Sequence, residues 1–272
     1  MSAHTPPPLV LVFDSSDPTG ATGLQGAAVT LAAFGCHSLP VATAISCGDT
    51  RSVEHVHVLD PEWVAEQARP VLEDVPVAAI LVGDPGCPDT VGVIAEIATD
   101  YAAPLIFAPG SLRDSPDPDE SDDLVVASLE MLLPETRVLV VDGTVALRMV
   151  AVGDDDGDAC SDPQEAARML LRCGAGSVLL AESRDAALQP ADLLIGPAGI
   201  LRTDTRPPVN SRVAGGLAAL AAAVAAGMAR GGEVEHAVRE GHDYLRAAYA
   251  GAFTPGMGAA LVDRIATLRR PA

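Results

Sequence analysis

The chain contains no lysine, so its 17 basic side chains are all arginines, against 37 aspartates and glutamates and a formal charge of −20. Any site that depends on a lysine is therefore excluded. A surplus of negative charge this large repels nucleic acids and anionic membrane surfaces. We therefore expect neither a nucleic acid nor a membrane as a partner.

Long apolar runs and paired cysteines are also missing. No run reaches the roughly 18 residues of a membrane span, and the best candidate, 214–229, has the alanine and glycine content of a buried helix. The amino-terminal "MSAHTPPPLVLVF" has no basic cluster before its apolar stretch, so we predict no secretory signal. The five cysteines show no close pair, which fits neither a disulfide framework nor a zinc motif. We expect reduced cysteines and a cytoplasmic protein.

The chain alternates short apolar runs with longer helical patterns. The predicted strands are 9–13, 39–46, 77–83, 103–109, 137–141, 177–181 and 191–196. The predicted helices are 23–35, 61–73, 90–101, 122–133, 162–173, 213–229 and 233–249. This alternation predicts an α/β fold with a parallel sheet covered on both faces, and right-handed crossovers would bring every strand's carboxyl end to one edge. No repeat or linker divides the chain, so we predict one domain over residues 1–272.

Two segments admit two interpretations each. "VVDGTV" (140–145) fits a hairpin turn, but the run that follows also fits a short helix. "GDDDGDACSDPQEAA" (153–167) has the acidic spacing of a calcium loop, at Asp154, Asp156, Asp158 and Glu165. Because Ala159 replaces the glycine that such a loop needs at its sixth position, we predict no metal site there.

Two junctions between a loop and a helix can carry chemistry. The first strand runs into a loop rich in glycine, serine and threonine, where a backbone can approach a ligand closely and Asp17 can orient a polar group. The second, "DTRPPVNSRVAGGLAAL" (204–220), leads into a long helix whose first N–H groups can hold an anion. Between Pro207 and Leu217 it has no Asp, Glu, His, Cys or Lys.

In order and spacing, these segments resemble the hydroxymethylpyrimidine/phosphomethylpyrimidine kinases of thiamine biosynthesis, in the ribokinase-like superfamily. The family's G-S-D-P-S-G-G-A-G-I-Q-A-D stretch matches "SSDPTGATGLQGA" (15–27), and the segment ending in A-Q-N-T matches "CGDT" (47–50). The family's D-T-K-N-T-H-G-T-G-C loop falls on "DTRPPVNSRV" (204–213). Similar order and spacing at 61–83, 132–141 and 231–248 extend the resemblance over nearly the whole chain.

The resemblance implies a ribokinase-like three-layer α/β/α sandwich with a mostly parallel central sheet. It also implies ATP as phosphoryl donor, Mg as metal, and a small pyrimidine or phosphorylated metabolite as ligand. Relatives with this fold commonly pair through sheet edges, so a homodimer is expected. The implied substrate-binding positions are Ser15, Asp17, Thr22, Gly48 and Asp84. The implied anion-binding positions are Asn210, Ser211 and Arg212.

Several family positions carry other residues here. Val213 stands at the catalytic position that ends the phosphoryl-binding loop, and valine accepts no proton. Gly48 replaces the glutamine that reads the pyrimidine edge, and Asp84 replaces the methionine that lines the pocket. The family lysine near the nucleotide phosphates falls at 180–183, so its role would pass to an arginine such as Arg184.

We therefore interpret the chain as a divergent member of this family, with degenerate catalytic motifs and no intact catalytic residue. The family segment that organises magnesium and nucleotide becomes "DGTVA" (142–146), which keeps Asp142 as a possible ligand. Three functions stay open: a pyrimidine kinase of thiamine biosynthesis, a non-catalytic ligand-binding or scaffold protein, and a kinase or phosphatase for another small molecule.

Overall fold

The computed structural model describes residues 6–110, 118–153, 160–205 and 213–269. The strands of its main sheet are β1 (Leu9–Ser16), β2 (His37–Gly48), β3 (Val53–Val58), β4 (Ala79–Val82), β5 (Leu105–Phe107), β6 (Thr136–Asp142), β7 (Val178–Arg184), β8 (Pro190–Gly196) and β9 (Gly199–Thr205). They form one sheet in the order β3-β2-β1-β4-β5-β6-β7-β8-β9. A separate small sheet pairs β10 (Val213–Ala214) with β11 (Ala260–Leu261).

The centre of the sheet is parallel and its edges are mixed. Strands β2, β1, β4, β5, β6 and β7 run parallel to one another. Antiparallel pairs add β3 at one edge, and β8 and then β9 at the other. The predicted mostly parallel sheet is confirmed, but the expectation that every strand ends at the same edge is wrong for β3 and β8, which are joined to their neighbours by hairpins. The six central strands share one carboxyl edge.

Helices cover both faces of the sheet. The described α-helices are α1 (Gly23–Ala33), α2 (Pro61–Asp74), α3 (Pro88–Asp100), α4 (Pro118–Ala127), α5 (Gly143–Gly153), α6 (Pro163–Arg172), α7 (Gly216–Ala229) and α8 (Val234–Ala250). In β1, Val10 and Val12 pack with α1, α7 and α8, whereas Leu11 and Phe13 pack with α2 to α6. Because both faces are buried, the central strands consist of nearly continuous apolar residues.

The small residues of α7 let it pack closely against its neighbours. A Cβ on Gly227 would lie 2.6 Å from the Cβ of Ala237 on α8, and a Cβ on Gly241 would lie 3.0 Å from Leu220. The prediction that the alanine-rich stretch is a buried helix is therefore confirmed. None of the described helices is long and apolar enough to cross a membrane.

The structure decides the ambiguous segment 140–145 in favour of the helix. Asp142 ends β6, and its Oδ1 accepts hydrogen bonds from the amides of Thr144 (2.9 Å) and Val145 (3.0 Å), which caps α5. The predicted strands and helices are found with shifted ends, but β9 was not predicted. It lies at an edge of the sheet and is largely exposed, so it lacks the apolar face by which a strand is recognised.

Candidate functional site

Asp17 organises the loop that joins β1 to α1. Its Oδ1 accepts hydrogen bonds from the amide (2.8 Å) and hydroxyl (2.7 Å) of Thr19, and its Oδ2 accepts from the amide (2.9 Å) and hydroxyl (3.0 Å) of Thr22. Burial by itself raises the pKa of Asp17, but these four bonds outweigh it and hold the pKa below its usual value. Asp17 is therefore ionised, and both of its carboxylate oxygens accept hydrogen bonds from within the loop itself.

The same loop folds back tightly onto β1. Gly23, the first residue of α1, has a φ of +64°, and a Cβ at this position would collide with the carbonyl oxygen of Ser15. The side-chain oxygen of Gln25 accepts the amide of Asp17 at 2.9 Å. A glycine at position 23 is therefore what allows Ser15, Asp17 and Thr22 to lie together.

A pair of aspartates lies where β1 and β4 end side by side. Oδ1 of Asp14 accepts the amides of Ser15 (2.8 Å) and Asp84 (3.1 Å). Gly83 leaves room for this carboxyl group, because a Cβ there would overlap it. Burial, followed by the charge of Asp84, raises the pKa of Asp14 to about 7. A carboxyl group that titrates near neutral pH at this edge of the sheet marks a candidate functional site.

Helix α7 begins on two glycines close to the glycine-rich loop. Gly215 caps the helix with a φ of +85°, and a Cβ on it would overlap the carbonyl oxygen of Ala21. Gly216 is the first helical residue, and a Cβ on it would overlap the hydroxyl of Tyr249 and lie 2.7 Å from its Cζ. Tyr249 thus fills the space that a side chain at the start of α7 would take. Val213 lies three residues earlier, in β10.

Arg264 joins this helix start to the glycine-rich loop. It is 6% exposed, and its guanidinium donates to the carbonyl oxygens of Gly26 (3.0 Å), Ala21 (2.6 Å) and Gly215 (3.3 Å). Burial lowers the pKa of Arg264 from its ordinary value. The two junctions singled out in the sequence are therefore held against each other by one buried cation.

Gly48 lies at the far side of this region, at the end of β2. A Cβ on it would overlap the carbonyl oxygen of Ser52, so the hairpin between β2 and β3 needs a glycine here. Beyond it, a pocket of about 440 Å³ opens between the hairpin turn, Thr19 and the C-terminal loop around Gly256. Gly48 contributes backbone alone and cannot read a ring edge with a side chain.

A sequence model of the phosphomethylpyrimidine kinase family matches residues 17–263. The chain belongs to this family. The hydroxymethylpyrimidine/phosphomethylpyrimidine kinase of Streptomyces coelicolor is 31% identical over 97% of both chains. That of Rhizobium meliloti is 29% identical over 90% of this chain and 91% of the relative. The predicted resemblance to kinases of thiamine biosynthesis is confirmed.

Solved structures show the same fold. Bacillus subtilis pyridoxal kinase, in an ADP complex, has a TM-score of 0.82 and 19% identity, with 96% of this chain and 99% of that chain covered. Phosphomethylpyrimidine kinase from Clostridium difficile has a TM-score of 0.71 and 21% identity, with 88% and 98% covered. The ribokinase-like three-layer architecture is therefore confirmed, and a kinase family implies ATP as the phosphoryl donor.

The side of the site where the resemblance puts Mg-ATP does not fit that group. Among the described residues, no three or more His, Cys, Asp or Glu side chains are grouped to hold a metal. Oδ1 of Asp142 is used in capping α5, and Arg184, named above as a substitute for the family lysine, donates to the carbonyl of Leu188 at 2.9 Å. Glu182 stands within the segment of that lysine, with a φ of +56°.

The implied site residues fall into three groups. Ser15, Asp17, Thr22 and Asp84 lie around the ends of β1 and β4, whereas Gly48 and Val213 reach the same region from β2 and β10. The implied anion-binding positions Asn210, Ser211 and Arg212 lie outside the described residues, as do Asp154, Asp156 and Asp158, for which no metal site was predicted.

Sequence reasoning did not find Asp14, Tyr249 or Arg264. Asp14 directly precedes the quoted motif, so its place at a strand end was an available signal. Tyr249 and Arg264 reach the site from the C-terminal part of the chain, and no local pattern marks them.

Proposed function

We propose that this family member binds a pyrimidine of thiamine metabolism, or its phosphate. We propose further that any phosphoryl transfer it catalyses is much slower than that of its kinase relatives. The observation that carries the proposal is the start of α7, where Gly216 has no side chain and Tyr249 fills the space beside it. The chain is proposed to act as one ribokinase-like domain over residues 1–272.

The chemistry of phosphoryl transfer supports this proposal. An alcohol that attacks phosphorus must give up its proton, and a positioned acceptor speeds that step by about 10²–10⁴-fold. None of the residues 213–217, Val-Ala-Gly-Gly-Leu, carries such an acceptor. This holds whether the catalytic position is Val213, as the resemblance places it, or Gly216, where the helix begins. The residues on the nucleotide side of the site also do not fit Mg-ATP, which supports the same proposal.

Thermal-shift titration with hydroxymethylpyrimidine, its phosphate and Mg-ATP, followed by a coupled kinase assay, tests the proposal. At 100-fold excess over Kd a ligand stabilises by about 2.7 kcal/mol, which is a shift of several degrees. We expect such a shift with a pyrimidine ligand, and turnover at least about a hundredfold below the Streptomyces coelicolor relative assayed alongside. Asp84→Ala should abolish the shift, whereas Asp100→Ala, exposed at the end of α3, should not. Turnover at the relative's rate, or no pyrimidine shift, contradicts the proposal.

One observation favours a second candidate, a kinase that uses Asp14 as its proton acceptor. Asp14 follows Val12 by two residues on β1, so it lies on the face of the sheet that α7 covers. Its pKa of about 7 suits a general base at neutral pH. If the coupled assay finds turnover, Asp14→Asn should reduce it by about 10²-fold or more, and unchanged turnover would exclude this candidate.

We also propose a homodimer that pairs through β3. This edge strand is exposed along its whole length, with Val53 64% and Val56 51% exposed, and Trp63 nearby on α2 is 64% exposed. An exposed edge strand with apolar side chains favours pairing with another chain. Light scattering after size exclusion should report a dimer that Val56→Glu dissociates, whereas Val29→Glu, on exposed α1 surface, leaves it intact.

We propose the cytoplasm as the compartment. Cys36, Cys47, Cys87, Cys160 and Cys173 are all free thiols. Free thiols are typical of a reducing compartment. Fractionation of cells that express the full chain would place it directly.

A further inference from the structure

A buried histidine on α8 lies between two buried aspartates of the main sheet. Nδ1 of His242 is 3.6 Å from Oδ2 of Asp192 on β8, and its Nε2 is 3.7 Å from Oδ2 of Asp204 on β9. The three residues are 5%, 1% and 6% exposed, in that order. None of them is among the site positions that the resemblance implies. This histidine cluster is therefore a group of buried titratable side chains that the proposed function leaves unused.

The two aspartates of the histidine cluster face each other directly. Asp192 and Asp204 are opposite one another in the antiparallel pair of β8 and β9. Like charges at opposite positions of neighbouring strands destabilise the pair, and the low dielectric of a buried site strengthens their repulsion. A positive charge close to both carboxylates offsets this repulsion. The ring of His242 has the position to supply it, since each of its nitrogens lies beside one of the carboxylates.

Other donors hold both carboxylates in place. Nε and Nη2 of Arg202 donate to Oδ2 and Oδ1 of Asp204 at 2.6 Å each, and these bonds raise the pKa of Arg202. Oδ1 of Asp192 accepts the amide of Glu182 on β7 at 2.8 Å. The ring of His242 therefore faces carboxylate oxygens whose positions are fixed by hydrogen bonds within the sheet.

The remaining charges near the histidine cluster are on α8 itself. Asp243 and Glu235 both act electrostatically on Arg202, and Asp243 is paired with Arg246. Two further elements pack against α8: helix α7 (216–229) and the short helix at 266–268. Neither carries a titratable side chain. The protonation of His242 is therefore governed by the groups of β8, β9 and α8.

The protonation state of His242 follows from the positions of its two ring nitrogens. A neutral imidazole has one N–H and one lone pair, whereas an imidazolium has an N–H on each nitrogen. Whichever nitrogen held the proton, a neutral ring would direct its lone pair at a carboxylate oxygen in a buried site. We infer that His242 is held as an imidazolium in the folded protein, where it forms a pH-sensitive clamp between α8 and the hairpin of β8 and β9.

The clamp lies at the point where β9 leaves the sheet. Asp204 is the next-to-last residue of β9, and the segment that resembles the phosphoryl-binding loop of the family begins with it. On α8, Tyr249 follows His242 by seven residues, which is about two turns, so both lie on the same side of the helix. Deprotonation of His242 therefore weakens the contact of α8 with the hairpin on the side of the helix that carries Tyr249.

The clamp stabilises the fold at neutral and slightly acidic pH and is released at alkaline pH. Two neighbouring carboxylates favour the charged ring, so His242 holds its proton more tightly in the folded chain than in the unfolded chain, where imidazole titrates near pH 6.5. The stabilisation is therefore complete below about pH 6.5, and it is lost as the pH rises through the higher value at which folded His242 titrates. This inference does not depend on the proposed function.

NMR spectroscopy of the full chain with isotope-labelled histidine tests the inference directly. We expect both ring nitrogens of His242 to carry protons at about pH 7, and the ring to titrate at least about one pH unit above 6.5. Asp192→Asn, which removes one carboxylate but keeps an oxygen for the amide of Glu182, should lower that midpoint by about one pH unit or more. A neutral ring at about pH 7, or a midpoint that Asp192→Asn leaves unchanged, overturns the inference.

Thermal unfolding of His242→Gln gives a second test. We expect the variant to lower the Tm by about 5 °C or more near pH 6.5, and by progressively less as the pH rises above the midpoint of His242. Asp14 titrates in both chains, so its effect cancels in the difference. His236→Gln is the matched control, because His236 is an exposed histidine on the same helix, and it should lower the Tm by less than about 2 °C throughout.

The direction of the pH dependence decides the outcome of this second test. A Tm difference between wild type and His242→Gln that is constant from about pH 6.5 to 9.5, or that grows towards alkaline pH, overturns the inference. If His242→Gln does not fold, the NMR titration of the wild-type chain and of Asp192→Asn decides it.

Discussion

The backbone amide of Asp84 donates a hydrogen bond to the carboxyl group of Asp14 (3.1 Å). This bond connects β1, which contains Asp14, to the loop that follows β4. This contact places two acidic residues together at the carboxyl edge of the sheet. Gly83 leaves the carboxyl group of Asp14 the space that it occupies against β4. Because this carboxyl group joins the ends of β1 and β4, its protonation affects the stability of the fold as well as the binding of any ligand.

Asp14→Asn should stabilise the protein increasingly as the pH rises. The folded pKa of Asp14 is about 7, above its ordinary value of 3.8, so the folded chain binds more protons between these values and stability falls as the pH rises through them. Each pKa unit corresponds to about 1.4 kcal/mol. Asparagine cannot ionise and keeps an oxygen for the two amides. We expect Asp14→Asn to raise the free energy of unfolding by roughly 2–4 kcal/mol at about pH 8 and by little near pH 4, measured by urea denaturation.

The control for this pH effect is Asp100→Asn, which removes one exposed charge at the end of α3. It should shift stability by less than about 0.5 kcal/mol at either pH. If the difference in unfolding free energy between Asp14→Asn and the wild type stays the same between about pH 4.5 and 8, the carboxyl group titrates as it does in water, which contradicts the prediction.

Gly23→Ala should be far more damaging than Gly20→Ala in the same loop. Both glycines have a left-handed φ, of +64° and +68°, which costs a side chain about 1–2 kcal/mol. A Cβ at Gly23 also meets the carbonyl oxygen of Ser15, whereas one at Gly20 meets nothing within 4 Å. We expect losses of about 3 kcal/mol or more and about 1 kcal/mol, respectively, by chemical denaturation. Equal losses would mean that the loop can move away from β1.

Arg264→Met should cost roughly 3–5 kcal/mol of unfolding free energy, because it leaves the buried carbonyls of Ala21, Gly26 and Gly215 without their donor. Arg264→Lys should recover part of this, since an ammonium group lacks the fork that reaches separate carbonyls. Arg269→Met is the control: this arginine is largely exposed, its ion pair with Asp263 is 3.2 Å long, and its loss should cost about 1 kcal/mol or less. Similar losses in Arg264→Met and Arg269→Met would contradict a bridging role.

The central fold was predictable because its determinants are local. Apolar runs such as 9–13 and 137–141 and the alternating helical patterns led directly to the parallel sheet and its two helical layers. The glycine-rich loop was also recognisable, since its glycines and Asp17 act within one short segment. The edge strand β9 was not predicted, because it is largely exposed and lacks a buried face.

The remaining parts of the site depend on contacts between distant segments. Arg264 touches residues more than two hundred positions away in the glycine-rich loop, and Arg51 meets Met257 in the same way. Neither pairing leaves a periodic pattern in the sequence. The raised pKa of Asp14 likewise follows from burial and from Asp84, which lies in the loop after β4, and spacing along the chain does not show this contact.

Gly216 and Tyr249 should prove energetically coupled. Gly216→Ala in the wild-type chain forces a Cβ against the hydroxyl and Cζ of Tyr249, and overpacking of this kind costs about 1–3 kcal/mol. In a Tyr249→Ala background the same substitution meets no other side chain closer than 3.5 Å, and alanine is favoured over glycine within a helix by up to about 1 kcal/mol. The double-mutant cycle, measured by chemical denaturation, should therefore show a coupling of about 2 kcal/mol.

The same double-mutant cycle with Gly216→Asp tests whether Tyr249 prevents a proton-accepting side chain from occupying the start of α7. A carboxylate in the first turn of a helix is favourable by about 0.3–1 kcal/mol, so aspartate should be tolerated once the space is free. Tyr249→Phe should relieve the clash incompletely, since Cζ remains 2.7 Å from the new Cβ. If Gly216→Asp costs as much in the Tyr249→Ala background as it does beside the tyrosine, the start of α7 rejects a side chain for another reason, and Tyr249 does not hold the acceptor position closed.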